Sequence, residues 1–276
     1  MPQLQKHIGQ ILLNGFLLVA LVLVAMPFLW MVGTSFMDTG ASLTFPPKIV
    51  PAELTLVQYE TLFRKLNFSR NFLNSLIVSL TVTVLSLFVN SLAGYAFAKH
   101  YFRGKKKLFT LLLGTLAIPG QVTMLPVFLL LNKLHLLNTY WGLVVTGTAG
   151  VFAIFLFKQY AQSIPDDIIE SARIDGCSDF RIYWKIVLPL AKPVLVTLAI
   201  FTFMGSWNDF LWPLIVMSKD SMYTLPVALA NLFGEHLMDT ELMMAGAVIT
   251  ILPVMIVFLA LQKYYISGIM AGGLKE

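Results

Sequence analysis

ESARIDGCSDFRIYWKIVLPL, residues 170–190, is a charged, glycine-punctuated stretch set between two of the most apolar parts of the chain. Just upstream, Ser163 is expected to cap a short helix whose first turn holds Pro165, Asp166 and Asp167, proline being tolerated there and acids complementing a helix N-terminus. Gly176 is a natural end for it. Ser178 is expected to cap a second helix, DFRIYWKIV, stopped by Pro189. Both are shorter than the roughly 12–15 residues at which isolated helices become marginal in water, so something must hold them. Ile168, Ile169 and Ala172 cluster on the first, and Phe180, Tyr183, Trp184 and Val187 recur at helical spacing on the second. These faces suit either burial in a headgroup layer or a groove on a soluble partner.

The flanking sequence shows where the stretch belongs. Of 276 residues, 58% are hydrophobic and 12% charged, whereas about a quarter of a soluble domain is charged. Six apolar stretches, 11–32, 72–97, 108–131, 141–157, 194–217 and 244–262, are each long enough, or nearly so, to cross a bilayer as a helix. The alternation of barrel strands is absent. The first stretch follows Lys6 and His7 as a secretory signal would, but its length and the lack of a cleavage site make it a retained helix. The expected class is an all-α membrane protein of one domain, residues 1–276, with six transmembrane helices and a loop at 163–190 between spans 4 and 5.

Placing the N-terminus in the cytoplasm puts inside Lys6, the group Lys99, Arg103 and Lys105 to Lys107, the group Lys158, Arg173, Arg181, Lys185 and Lys192, and finally Lys263 and Lys275. These make 13 of the 19 basic residues and place both termini inside. The basic residues flank apolar runs, so the net charge of +5 reflects orientation in a membrane, not nucleic-acid binding. Cys177 is the one cysteine, which excludes an intrachain disulfide. His7, His100, His135 and His236 are scattered, with no zinc-binding spacing.

The outer loop, 33–71, contains the extended, proline-rich FPPKIVP, then TLVQYETLF, where Thr55 and Gln58 are spaced as a capping box. Pro119, Pro126, Pro213 and Pro253 interrupt the spans, and VNSLAGYAFA and TGTAGVFA supply small residues for close helix approach. Asn14, Asn90 and Gln121 are expected to bond between helices. In GEHLMDTEL the acids are expected either to be solvated or to meet a partner.

GSWNDFLWPL, 205–214, is unusual for lipid. Asp209 falls about 15 residues, or about 22 Å, into the fifth span. An ionised side chain at that depth costs about 2.5–3.5 kcal/mol on insertion scales unless it faces a cavity or a partner. Two readings fit. Trp207, Asn208, Asp209 and Trp212 could line a path for a hydroxyl-bearing solute, indole stacking on a sugar ring and Asn and Asp taking its hydroxyls. Alternatively, the tryptophans form an interfacial belt and Asp209 makes a structural bond.

The opening stretch resembles the EAA loop of membrane subunits of binding-protein-dependent ABC importers. Glu170, Ala172, Gly176, Ile186, Leu188 and Pro189 fill that pattern, and Ser171 replaces its usual first alanine. QYETLF, RNFLNSLIVS, WNDFLWPL, YTLPVALANLFGEH and the ending QKYYISGIMAGGLKE extend the likeness to carbohydrate permeases of the maltose and multiple-sugar type, especially the second permease subunit. The resemblance implies that the helix at about 166–175 is a cytoplasmic coupling helix. Glu170, Ser171, Ala172, Asp175 and Gly176 would then meet the ATPase, with AGGLKE reaching toward it. It further implies a second, non-identical permease, two ATPase subunits, an extracellular or periplasmic solute-binding protein, a sugar substrate and a prokaryotic cell membrane. No GxxxxGK phosphate loop followed by Ser or Thr occurs, RGKKK at 103–107 being incomplete. ATP and Mg are therefore expected on the partner, with no cofactor on this chain. The rivals are an importer permease for a non-sugar solute, a passive channel, and an intramembrane enzyme, for which catalytic pairs at depth are missing.

Overall fold

A computed structural model describes residues 2–44, 51, 53–235 and 239–273. The proline-rich piece 45–50, His236 and the last three residues lie outside them. Fourteen α-helical segments account for most of the described chain. Three hold segments long and apolar enough to cross a membrane: Gly9–Thr34 within α1 (Pro2–Thr34), α3 (Phe68–Lys99), and Thr240–Gln262 within α14 (Thr240–Gly273). Three further apolar pairs are bent, making six spans if each pair counts as one. The chain divides into two compact units, Met1–Ser69 with Leu229–Leu252 and Arg70–Ala228 with Pro253–Glu276.

In the first unit α2 (Val57–Glu60) runs into one π-helical turn, Thr61–Lys65. The expected capping box does not form. Leu56 holds the cap position with no side-chain bond, and the Gln58 amide instead donates to the Met37 carbonyl and to Thr39 Oγ1. Gln58 is thereby buried, and Tyr59 meets Ser35 at 2.8 Å. Glu241 is also fully buried, accepting the Ser42 amide at 2.7 Å, so this acid is not solvated. Asp239 caps α14 through the Leu242 amide.

In the second unit the bent pairs are α4 (Lys105–Gly114) with α5 (Gly120–Lys133), α6 (Tyr140–Thr148) with α7 (Val151–Gln162), and the pre-span segment Asp179–Leu190 with α11 (Lys192–Trp207). They turn by 104°, 41° and 81°. The third and fourth apolar stretches are therefore not straight helices. At the first break Pro119 has no amide to continue a helix and Ile118 is extended, at φ −89° and ψ 117°.

Lipid offers no hydrogen bonds to such breaks, so side chains must. Asn90 of α3 meets the gap between α6 and α7, donating to the Thr148 carbonyl at 3.2 Å and accepting the Gly150 amide at 3.0 Å. Asn71 and Asn74 hold carbonyls of the 220–223 segment, and Ser75 accepts the Leu225 amide at the start of the next helix. The buried polar strip of α3 serves its neighbours' interrupted backbone. Close approach completes the packing: a Cβ on Gly94 would lie 3.0 Å from the Ile154 carbonyl and the Lys158 amide of α7.

Candidate functional site

The fifth apolar stretch breaks within its polar motif. α11 ends at Trp207, Asn208–Phe210 are non-helical, and α12 covers Leu211–Val216. The Asn208 amide follows the helix end and donates to the Met204 carbonyl at 2.9 Å, while Asp209 Oδ1, one residue before the Phe210 cap position, accepts the Trp212 amide of the first turn of α12 at 3.4 Å. A cavity of about 540 Å³ opens beside this break, walled by α3, α5, α6, α11 and α12. Asp209 is the one ionisable residue lining it among the described residues; Trp212, Thr146, Thr123, Thr202 and Ser206 line it too. The Trp212 indole N–H donates to Thr146 Oγ1 at 2.8 Å, which fixes the ring in the wall.

The four residues expected to share a path are thus separated. Asp209 and Trp212 face the cavity, and Asn208 is exposed but not part of the lining. Trp207 does not reach it: the side chain is 1% exposed, stacked on Phe203 and edge-on to Phe72. Placing Trp207 on a solute path is corrected accordingly, because stacking on a sugar would require unpacking this aromatic cluster. The two tryptophans look equivalent in sequence; only the break between them turns one inward and one to the cavity. The lining hydroxyls of Thr123, Thr146, Thr202 and Ser206 were not singled out by sequence, where each is a small polar residue in an apolar run.

The second candidate region is α8 (Asp166–Ile174) and the segment after it. Pro165 occupies its cap position without a side-chain bond, and Ser163 instead donates to the Tyr160 carbonyl at the end of α7. The expected Ser163 cap is thus replaced by a tie between Lys99 and the first turn, where Lys99 Nζ lies 2.6 Å from Asp166 Oδ1 and also bonds the Ile164 carbonyl. Hydrogen bonding and charge from Lys99 hold the Asp166 carboxyl below its ordinary pKa. Gly176 turns the chain at φ +79°. Ser178 caps α9 (Asp179–Ile182) by accepting the Arg181 amide. Helix then continues through a π turn, Tyr183–Val187, and through α10 (Leu188–Leu190). Pro189 therefore does not stop it; the break comes at Ala191.

This region packs on protein. Ile169 and Ala172 of α8 and Ile182, Tyr183 and Val187 join Tyr95, Phe157 and Leu198 in one core, and Tyr183 shares a 2.7 Å hydrogen bond with Ser91 of α3. Phe180 and Trp184 stay about half exposed. Glu170, Ser171, Asp175 and Gly176 lie exposed, and Ile174 is 86% exposed, an apolar side chain with no cover. Arg173 bonds Asp179 across the turn at 3.0 Å, fixing the angle between the two helices.

Residues 90–270 match the model of the binding-protein-dependent transport system inner membrane component family. The chain belongs to this family. It is a multi-pass transport permease of an ABC importer, and not an enzyme. It is 40% identical to the arabinooligosaccharides transport system permease protein AraQ of Halalkalibacterium halodurans, across 88% of this chain and 86% of that one. The galactooligosaccharides transport system permease protein GanQ of Bacillus subtilis is 35% identical over 96% and 95% of the two chains, and the lactose transport system permease protein LacG of Rhizobium radiobacter 29% over the whole of both. Among solved structures, a bacterial ABC transporter involved in the import of the acidic polysaccharide alginate superposes with a TM-score of 0.83 at 25% identity, covering 95% of this chain and 98% of that one.

Proposed function

We propose that this permease is half of the pore of an ATP-driven oligosaccharide importer. The observation that carries the reading is extensive similarity to permeases named for arabinooligosaccharides, galactooligosaccharides and lactose, joined to a cavity whose polar wall is Asp209, Trp212 and hydroxyls. A second, non-identical permease completes the pore, an external binding protein delivers the sugar, and two ATPase subunits carry ATP and Mg. No cofactor is assigned to this chain. Both termini face the cytoplasm of a prokaryotic cell.

The 163–190 loop then acts as the coupling element. Glu170, Ser171, Asp175 and the uncovered Ile174 form the face presented to the ATPase; Ala172 anchors α8 from beneath, and Gly176 permits the reversal. Because α8 shares a core with Tyr95, Tyr183 and Leu198, displacement of α8 is transmitted to α3 and α11. ATP binding biases the pore between inward and outward access only through different affinities of the ATPase pair for the two states. The test is ATP-dependent uptake of labelled arabino- and galactooligosaccharides into vesicles containing the assembled transporter. Asp209→Asn is expected to cut uptake about tenfold or more, the cost of a hydrogen bond to a charged group, with ATPase content unchanged. Unaltered uptake removes Asp209 from the path, and no uptake of any oligosaccharide by the unmodified transporter contradicts the substrate class.

A further inference from the structure

At the end of the second unit that carries α8, the last turn of α3, the first turn of α4 and the last turn of α7 enclose an open cavity of about 710 Å³. Lys105, Lys106 and Lys107 reach it from α4, and Lys158 from α7. No carboxylate lines it, and none of the four forms an ion pair among the described residues. Their contacts are neutral: Lys105 donates to the His100 carbonyl, and Lys158 donates to Gln162 and sits 4.4 Å from the Phe109 ring centre. The α4 lysines also occupy the positive end of a helix whose cap, Gly104, has no side chain to offer. Like charges gathered at a helix N-terminus without a counter-ion are locally unfavourable. Orientation in a membrane requires lysines on one side of the bilayer; it does not require lysines from two separate helices to converge on one cavity.

The walls narrow the occupant. Phe97 and Phe109 pack at 5.2 Å between ring centres as its apolar side. Phe102 and the exposed Tyr101 extend that side toward the opening. A basic mouth with an aromatic wall, at the head of a membrane-crossing helix pair, fits an amphiphile with a phosphate head. We propose that this cavity seats the headgroup of an anionic phospholipid of the bilayer, with Lys106, Lys107 and Lys158 on the phosphate and Phe97, Phe102 and Phe109 against the glycerol and the start of the chains.

The assembled transporter, reconstituted in phosphatidylcholine vesicles with spin-labelled phosphatidylglycerol or spin-labelled phosphatidylcholine as probe, reports the relative association of the two lipids. The unmodified protein is expected to prefer phosphatidylglycerol severalfold. Lys106→Gln with Lys107→Gln, both exposed and safe for folding, should abolish that preference, one lysine near the surface being worth about fivefold, as should Lys158→Gln; Lys158→Arg should retain it. Lys133→Gln with Lys219→Gln, outside the cavity, should leave it unchanged, and millimolar inorganic phosphate should not displace the lipid. Equal association of the two lipids, preference surviving in the cavity variants, loss in the control pair, or displacement by inorganic phosphate would each overturn the proposal, the last by assigning the cavity to a free anion.

Discussion

Asn90 shows how much one side chain can carry here. Its amide fills both valences at the break between α6 and α7, so Asn90→Leu leaves a buried carbonyl and amide without partners. Each unsatisfied group costs about 1–3 kcal/mol, and the purified transporter should melt measurably lower; Asn90→Asp, which accepts but cannot donate, should fall between. Gly176 makes the opposite case. A Cβ there meets nothing within 4 Å, yet φ is +79°, so Gly176→Val costs conformational strain of about 1–2 kcal/mol with no clash. Gly205, equally open but without positive φ, is the control and should show no such strain in the same melting comparison. The Lys99–Asp166 pair sets a pH dependence. Its lowered folded pKa makes the contribution complete above the ordinary value of 3.8 and lost as pH falls through the folded value. The stability difference between the protein and Asp166→Asn should therefore shrink only at strongly acidic pH, and, with Asp166 exposed, should also shrink in high salt.

At the scale of elements, the spans are helices assembled from pieces. Gly142 in the first turn of α6 lies under the Leu136 carbonyl, where a Cβ would approach to 2.5 Å. Gly142→Ala should therefore destabilise by about 1–3 kcal/mol through overpacking, read as a lower melting temperature of the purified transporter. The apolar runs could be read directly, because hydropathy over about twenty residues is a property of the segment alone. Their breaks could not, because whether a gap at Gly150 is tolerated depends on Asn90, which reaches it from another helix. The expected cap at Ser163 and box at Thr55 were lost to distant or neighbouring carbonyls: the Tyr160 carbonyl took the hydroxyl of Ser163, and the Phe36 carbonyl took the Thr55 N–H that a box would give to Gln58, leaving Thr55 Oγ1 to accept the Val57 amide. Ser178 succeeded through a local bond, accepting the Arg181 amide three residues on.

For the whole molecule, the charged loop that interrupts the apolar sequence is rigidly built into the permease. Its backbone reversal at Gly176, its acid-rich first turn and its small residues were legible from residue type and spacing. The identity of the residues beneath it was not, since Tyr95, Phe157 and Leu198 come from three other helices. In the proposed coupling, that shared core is the route by which a displacement of α8 would reach α3 and α11. The most direct measurement is the rate of ATP-driven oligosaccharide accumulation by vesicles holding the complete transporter, set beside vesicles holding Glu170→Ala with Ile174→Asp, at equal permease content. Accumulation that depends on ATP in the first and is lost in the second, with the ATPase no longer co-purifying, is the predicted result; equal accumulation by both, or accumulation without ATP, would contradict coupling through α8.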